Sequence, residues 1–355
     1  MTAFDARSAM TTITDQGGNS TVYGFDEINR MVTRKFASLD ITSYGYDLNS
    51  HLVTTLYADG TRVTQAYDAN GNRTTLQDST GTTTFTFDVL NRMTGKTDPG
   101  ALSQAYGYDA AGQRTTLVDP DGGIFTYVFD DDGLNSLVID PDGKRTTLQY
   151  DAAARETTAV YDSGITRQTT YDAASRVVSI IDTDNTPAVI ARSSFTYDEN
   201  GNRKVIQDSN GAVTSYTFDA KDRLTQDHTT GTNAHTYDYT YDANDNRLTS
   251  NETGVVTTFN YDVANRLTTS TDGSGVTTFT FDPDGNLTKV HVGSTVTTMI
   301  YDKENRLVGH QQSSGGFAEP PTSFTYDGDG LKRAEIRVGR VTLVWDGMTY
   351  LQERG

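Results

Sequence analysis

The sequence predicts an all-β fold built from tandem antiparallel hairpins, and three observations lead to this prediction. An aromatic residue followed by aspartate recurs about every 21 residues along the chain. Polar and apolar residues alternate before many of these pairs, and a glycine follows a polar residue between most successive pairs. Self-similarity at a fixed period is typical of repeat proteins, in which each unit is one supersecondary element.

The composition supports a folded chain rich in strands. The 355 residues include 20 Tyr and 14 Phe but only 7 Pro, whereas disordered chains are poor in aromatic and β-branched residues. Aromatic residues and threonine favour strands. The net charge of −18 argues against nucleic acid as a partner, because binding to phosphates requires a basic surface. The absence of cysteine excludes disulfides, thiolate metal sites and thiol nucleophiles.

Targeting and membrane signals are missing from the sequence. No apolar run is long enough to cross a bilayer, so we expect no membrane span. Met1 is followed by TAFDARSAM, which has neither the basic nor the apolar region of a signal peptide. The first aromatic-Asp pair, Phe4-Asp5, comes at once. We therefore expect the sequence to be a fragment of a longer chain.

Each repeat unit predicts two strands, and the first of them ends at the aromatic residue of the pair. In 11 of 16 units a second aromatic stands two residues earlier, which places both rings on one face of the strand. Threonine and serine dominate the other face. The aromatic residues are Phe4, Phe25, Tyr46, Tyr67, Phe87, Tyr108, Phe129, Tyr150, Tyr171, Tyr197, Phe218, Tyr241, Tyr261, Phe281, Tyr301 and Tyr326, with Trp345 as a degenerate last member.

Two turns complete each unit. One contains glycine after a polar residue, as in Asp59-Gly60 and Asn210-Gly211, and such pairs tolerate the positive φ of tight hairpins. The other follows the aspartate, whose carboxylate can accept a hydrogen bond from the N–H two residues on. This second turn is predicted in a longer form, YDANGNR at 67–73, and a shorter form, FDVLNR at 87–92.

An arginine is predicted to open the returning strand. It lies close enough to the aspartate to pair with it, within a unit or between neighbours, and its guanidinium group could cover an aromatic ring. We predict the structural motif in six representative units, formed by Tyr67, Asp68 and Arg73, by Phe87, Asp88 and Arg92, by Tyr197, Asp198 and Arg203, by Phe218, Asp219 and Arg223, by Tyr261, Asp262 and Arg266, and by Tyr301, Asp302 and Arg306.

The unit, written G-x(6)-[YF]-D-x-x-G-[NR]-R-[LTV], resembles the YD repeat of RHS-repeat proteins. That family includes bacterial polymorphic toxins, toxin-complex cocoon components and animal teneurins. The resemblance covers residues 4 to about 350. It implies that the hairpins wind as a continuous strip into a hollow β-shell or spiral. In the toxins of this family, the shell encloses a C-terminal effector domain.

The resemblance also suggests a domain organisation. We predict an array of about 16 units over residues 1–330 and a divergent terminal repeat, cap or junction over 331–355, which carries Lys332, Arg333, Arg337 and Arg340. The stretch at 341–355 is similar to the end of such arrays. The conserved core and the self-cleaving segment that follow in the toxins are missing here, so neither autoproteolysis nor toxicity is expected of these residues.

Catalytic, cofactor and metal sites are not predicted. Asp68, Asn70 and Asn72 are spaced like the start of an EF-hand loop, but Arg73 occupies the position of its glycine. The five histidines, at 51, 228, 235, 291 and 310, do not have metal-ligand spacing. Three stretched units, at 180–194, 228–238 and 310–323, are the best places for a specific contact, although tolerated surface loops would have the same pattern.

These features predict a structural segment of a secreted or cell-surface RHS shell, from a bacterium, that encapsulates or displays a C-terminal effector. The expected partners are that effector domain or neighbouring shell segments. An alternative is an extracellular carbohydrate-binding or adhesion module, in which aromatic rings stack on glycans. A second alternative is a self-assembling extracellular filament, because open strand edges recruit further strands.

Overall fold

The computed structural model describes residues 1–6, 8–186, 188–337 and 340–354. These residues form 35 strands and no helix, which confirms the predicted all-β fold. Contacts between Cα atoms divide the chain into two compact units. Unit 1 contains residues 1–103 and 258–355, and unit 2 contains residues 104–257. The described part of the chain therefore has no helix that could span a bilayer.

The strands are short, and most contain five to seven residues. In chain order they are β1 Thr2–Phe4, β2 Met10–Thr14, β3 Ser20–Phe25, β4 Met31–Lys35, β5 Ile41–Tyr46, β6 Leu52–Leu56, β7 Arg62–Tyr67, β8 Arg73–Asp78, β9 Gly81–Phe87, β10 Met93–Asp98, β11 Leu102–Tyr108, β12 Arg114–Val118, β13 Ile124–Phe129, β14 Asn135–Ile139, β15 Arg145–Tyr150, β16 Glu156–Tyr161, β17 Thr166–Tyr171, β18 Val177–Thr183, β19 Val189–Tyr197, β20 Arg203–Asp208, β21 Val213–Phe218, β22 Leu224–Thr230, β23 His235–Tyr241, β24 Arg247–Glu252, β25 Val255–Tyr261, β26 Leu267–Asp272, β27 Gly275–Phe281, β28 Leu287–Val292, β29 Thr295–Tyr301, β30 Leu307–Ser314, β31 Phe317–Ala318, β32 Thr322–Tyr326, β33 Lys332–Ile336, β34 Arg340–Asp346 and β35 Thr349–Arg354.

Within each unit the strands pair antiparallel with their neighbours in sequence, as β7 does with β8 in unit 1 and β15 with β16 in unit 2. Each of the 16 predicted aromatic-Asp pairs ends a strand at its aromatic residue. Two strands in each of the 16 repeats account for 32 of the 35 strands, and three strands are additional. One is the two-residue β31, inside the stretch 310–323, and the others are β34 and β35, which form a hairpin around Trp345.

All 16 aspartates open the same tight turn, which we call the Asp turn. In the turn that starts at Asp88, the Asp88 N–H donates to the carbonyl of Arg92, and the Asn91 N–H donates back to the Asp88 carbonyl. The Asp88 carboxylate accepts from the N–H groups of Leu90 and Arg92, at 2.9 and 3.0 Å. Asn91 has a φ of 61°. The aspartate therefore replaces the hydrogen bonds that the turn residues cannot make with each other.

The prediction of a longer and a shorter turn was wrong. The turn at Asp68 closes with the same hydrogen bonds, from the Asp68 N–H to Asn72 and from the Gly71 N–H to Asp68. Both turns thus have one length, and only the place of the arginine differs. Arg73 and Arg203 open their strands as predicted, whereas Arg92, Arg223, Arg266 and Arg306 are the last residues of their turns and precede the strand.

The third residue after each turn aspartate has a positive φ, and in one turn this residue is alanine. Ala154 has a φ of 59°, a conformation that costs an L-residue about 1–2 kcal/mol, part of which glycine loses again as chain entropy. We expect Ala154→Gly to raise the free energy of unfolding by about 0.5–1 kcal/mol, measured by urea denaturation. The control is Ala153→Gly, one residue earlier at negative φ, which should lower it. Equal effects of the two substitutions would contradict this account.

Fully buried apolar side chains are few. They include Val63 and Leu76 in unit 1 and Leu117 and Ala159 in unit 2. Burial alternates along the strands, as in β9, where Thr83 is buried and Thr82 and Thr84 are exposed. The rings of the aromatic stripe are mostly half-buried. Their packing therefore depends on the polar groups that cover them, which are described next.

Candidate functional site

In seven Asp turns, an arginine four residues after the aspartate closes an ion pair with it. Among the predicted motif residues, Arg92 contacts Asp88 at 2.7 Å and Arg223 contacts Asp219 at 2.6 Å. Arg266 and Arg306 pair in the same way with Asp262 at 2.7 Å and Asp302 at 2.6 Å. The remaining three pairs are Asp26–Arg30, Asp151–Arg155 and Asp172–Arg176.

In the other two representative units, asparagine takes the place of this arginine. The Asn72 amide donates to Asp68 at 2.9 Å, and the Asn202 amide donates to Asp198 at 3.1 Å. Arg73 and Arg203 stand one residue later and lie instead over the rings of Phe85 and Phe195. The carboxylate thus binds the side chain at the fourth position, whichever N–H donor stands there. His51 fills this position beside Asp47, at 2.9 Å.

The arginine at the fourth position after the turn aspartate also contacts the next repeat along the chain. In unit 2, Arg155 Nη1 donates to the carbonyl of Asp172 at 3.1 Å, and its guanidinium carbon lies 4.7 Å from the centroid of the Tyr171 ring. The same two contacts with the following repeat are made by Arg30, Arg176, Arg223, Arg266 and Arg306. One side chain therefore fixes its own turn, the next turn and the next aromatic ring.

The tyrosines of the pairs contact the preceding unit. The Tyr67 hydroxyl donates to the Leu52 carbonyl at 3.1 Å, and the Tyr197 hydroxyl donates to that of Val177 at 2.6 Å. Tyr46, Tyr150, Tyr171, Tyr241, Tyr301 and Tyr326 make the same bond. Trp345 makes an equivalent one from Nε1 to the Lys332 carbonyl, at 2.7 Å. Phe87 and Phe218 end their strands without a hydroxyl, and Tyr261 pairs with Leu267 across β25 and β26.

The hydrogen bonds of the Asp turn change the acidity of its carboxyl group. The Arg223 side chain and backbone N–H groups lower the pKa of Asp219 below its usual value, against a smaller opposing effect of desolvation. In the turn at Asp68, the Asn72 side-chain amide has the same effect on the pKa of Asp68. The turns are thus built for ionised aspartate.

Unit 1 contains a second feature, which we call the seam, where residues 15–98 contact residues 264–345. Asp284 accepts from the Ser38 N–H at 2.8 Å, and Lys303 pairs with Asp40 at 2.9 Å. Further along, Arg73 binds Asp329 with two hydrogen bonds of 2.6 and 2.7 Å. The partners are 246 to 263 residues apart. The early and late repeats of unit 1 are therefore in direct contact through these polar side chains.

Close backbone packing accompanies these polar contacts. The Gly328 N–H donates to Asp78 at 2.7 Å. A Cβ atom on Gly328 would lie 2.6 Å from the Val63 side chain and 2.9 Å from that of Leu76. Both neighbours are buried, so only glycine fits at this point of the seam.

The centre of the seam is a buried ion network. Arg333 pairs with Asp98 at 2.6 Å and with Asp327 at 3.5 Å, and Lys96 pairs with Asp98 at 3.0 Å. Arg333 also donates to the Thr83 hydroxyl at 2.6 Å. The four charged side chains are between 2% and 9% exposed. Burial raises the pKa of Asp327, while the Leu331 N–H and the charge of Arg333 act in the opposite direction.

The stretched units form longer hairpins. In unit 2, the stretch 228–238 joins β22 to β23, and His235 Nε2 lies 3.2 Å from Asp227 Oδ1. The stretch 180–194 joins β18 to β19, and its Pro187 lies outside the described residues, as does the side chain of Arg340 in the terminal stretch. Across the described residues, no group of three or more His, Asp or Glu side chains could hold a metal ion.

Comparisons with known proteins agree with this architecture. The family model for the RHS repeat matches five overlapping places, at 67–103, 87–124, 197–235, 241–277 and 261–297. A comparison with curated proteins found no match. Among solved structures, the crystal structure of TcdB2-TccC3-TEV matches 99% of this chain with a TM-score of 0.70 and 14% identity, over 22% of its own length.

Two further structures share the fold. The crystal structure of TcdB2-TccC3-Cdc42 has a TM-score of 0.56 and 14% identity, covering 96% of this chain and 26% of its own. The Photorhabdus luminescens Tc holotoxin pore has a TM-score of 0.50 and 12% identity, with coverages of 99% and 27%. The chain thus spans about a quarter of the length of the solved chains that it matches. The family model for the RHS repeat thus matches residues 67–124, 197–235 and 241–297, and the Asp turn of these stretches recurs in the other repeats of the chain.

Proposed function

We propose that this repeat array forms part of the wall of a β-shell that encloses or displays an effector domain. The observation that carries the proposal is the match of nearly the whole chain, with a TM-score of 0.70, to a segment of TcdB2-TccC3-TEV. The name of the Tc holotoxin pore supports a toxin context. The partners that we propose are an effector domain and neighbouring shell segments, in a protein that is secreted or exposed at the cell surface.

The contacts between units support a structural role. Arginines of the Asp turn such as Arg155, and tyrosine hydroxyls such as that of Tyr171, bind the neighbouring repeat, so side chains that recur along the chain hold the strip together. In repeat proteins, stability is approximately the sum of the units and of such nearest-neighbour interfaces. The chemistry-bearing groups are therefore spread along the array, whereas an active site brings unlike groups together. This distribution favours a wall over an enzyme.

The same contacts disfavour glycan binding. A sugar that stacks on an aromatic ring needs an open ring face, and guanidinium groups already cover rings such as Tyr171 and Tyr197.

The terminal stretch 331–355 is proposed to act as a terminal repeat that follows an array over 1–330. Trp345 supports this proposal because its Nε1 makes the bond to the preceding unit that tyrosine makes elsewhere.

Electron microscopy of the protein isolated from its natural source, together with its intact mass, tests the proposal. We expect a closed particle with internal density and a mass well above the 38.8 kDa of this sequence. A chain of 38.8 kDa that repeats along a fibre would instead support the filament alternative, and the shell proposal would be wrong.

A further inference from the structure

In the seam of unit 1, one class of turn lies against another. We call the turns that join one repeat to the next, such as 36–40 between β4 and β5, the linking turns. The Ser38 N–H of this turn donates to Asp284 at 2.8 Å, and the Thr42 hydroxyl just beyond it donates to Glu304 at 2.8 Å. Asp284 and Glu304 are each the second residue after a turn aspartate. The tips of late Asp turns therefore contact an early linking turn.

The same contact is present one repeat earlier on both sides of the seam. Ala264 is the second residue after Asp262, and it lies against the linking turn at 15–19. A Cβ atom on Gly17 of that turn would be 3.4 Å from the Cβ atom of Ala264. The contact between Asp turns and linking turns thus advances one repeat at a time along the strip.

The Asp turns of the early repeats carry apolar tips. Ile28 and Leu90 occupy the second position after the aspartate, the one that makes the seam contacts, and each is 67% exposed. Val89 is 95% exposed, and Leu48 is fully exposed. In the Asp turns of unit 2 the two tip residues are alanine, asparagine or charged, so the turn itself does not require apolar tips. A group of exposed apolar residues is typical of an interaction surface.

The late repeats of unit 1 expose apolar residues at their linking turns. These turns lie at 272–275, 292–295 and 314–317. Val276 and Val292 beside them are about half exposed, and Phe317 is 84% exposed. A Cβ atom on Gly275 or Gly293 would have no described residue within 4 Å apart from its chain neighbours. This row of linking turns is therefore uncovered, whereas the early row lies in the seam.

We propose that the apolar Asp-turn tips of the early repeats dock on the late linking turns of a second copy of this chain. The seam already joins these two classes of turn, and burial of apolar side chains on both rows drives the contact. The two surfaces are different, so the contact is heterologous. It uses turns and leaves the strand edges unpaired. The inference rests on the proposed shell wall and deepens it, because it names the surface through which one wall segment meets another.

Sedimentation velocity of the intact chain at a series of concentrations tests the docking. We expect the sedimentation coefficient to rise with concentration. Leu90→Glu should weaken the association about tenfold, because it puts a charge into an apolar contact. Glu304 occupies the same position of its own turn, so the turn accepts glutamate. The matched control is Val263→Glu, at a late Asp-turn tip that is 74% exposed, and it should associate as the parent chain does.

A mixing experiment tests the direction of the contact. One double variant, Ile28→Glu with Leu90→Glu, removes the apolar Asp-turn tips. The other, Val292→Glu with Phe317→Glu, removes apolar residues of the late linking turns. Each variant alone should be monomeric. Their mixture should form an equimolar complex of twice 38.8 kDa that does not grow further, because each variant keeps one of the two surfaces.

Three results would overturn the docking proposal: a parent chain that stays monomeric, equal weakening by Leu90→Glu and Val263→Glu, or double variants that do not bind each other when mixed. Association that survives in each double variant alone would show pairing through strand edges, and would also overturn it. The shell proposal fails on a different result, the electron microscopy of the natural particle, so the two failures are distinguishable.

Discussion

Replacement of Arg333 by methionine is expected to lower the free energy of opening of the seam by about 3–5 kcal/mol. Asp98 is 2% exposed, and its carboxylate lies 2.6 Å from Arg333. Methionine fills much of the same volume but leaves Asp98 with Lys96 alone and Asp327 with no cation in the network. Removal of one partner from a buried ion pair is costly because the other charge stays buried without compensation.

Hydrogen exchange of unit 1 measures this effect directly. Protection of the amides in β10 and β33 should fall by a factor of about 10²–10⁴, since each 1.4 kcal/mol changes an equilibrium tenfold. Arg337→Met is the matched control. Arg337 also pairs with a carboxylate, that of Glu335, but its side chain is 71% exposed, and such surface pairs contribute about 0–1 kcal/mol. If the two variants lost protection equally, the buried network would not be what holds the seam.

The hairpin array could be predicted from the sequence because its causes are local. An aspartate after the strand, a residue that tolerates positive φ three positions later, and alternation along the strand each act within a few residues. The turn length was mispredicted because each turn was taken to extend as far as its arginine. Counted from the aspartate, the fourth position holds a side chain with an N–H group in 13 of the 16 turns, as in Arg92, Asn72 and His51.

The seam could not be predicted in the same way, because its partners are about 250 residues apart. A weak signal does exist. The eighth residue after the turn aspartate faces the core and is apolar in many units, for example Leu76 and Leu117, which are nearly fully buried. Arg34 and Lys96 occupy the same position, and both take part in the seam. In these two repeats, a charge at a position that is apolar in many others accompanies a contact with another part of the array, whereas Asp227 and Glu335 at the same position pair with residues close to them in sequence.

Acid is expected to unfold the array cooperatively below about pH 4. Hydrogen bonds from the turn lower the pKa values of Asp26, Asp68, Asp88, Asp151, Asp172, Asp219 and Asp242 below the usual value of 3.8. A carboxyl group with a lowered pKa in the folded state contributes stability above its unfolded pKa and loses it as the pH falls through the folded value. These seven turns weaken over the same range, so their losses add along the array.

The buried Asp327 works against this trend at higher pH. Its pKa is raised by burial, so the folded state takes up this proton more readily than the unfolded state. Stability from this group therefore rises as the pH falls through its folded pKa towards 3.8. We expect the urea midpoint to change little between pH 7 and 5 and to fall steeply only below about pH 4. Protonation of the carboxylates also leaves 29 Lys and Arg side chains without counter-charges, which adds self-repulsion.

A pair of variants separates the Asp turn from this general repulsion. Asp219→Asn keeps an acceptor for the turn N–H groups but removes the charge that binds Arg223. Its urea midpoint should lie below that of the parent chain at pH 7 and converge with it at low pH, as the pH falls through the lowered pKa of Asp219 and the parent carboxyl group becomes protonated. Asp132→Asn removes the same charge from an exposed turn residue whose side chain does not close its turn, and should match the parent chain at both pH values. If the gap for Asp219→Asn persisted at low pH, the turn would depend on the shape of the aspartate and not on its ionisation.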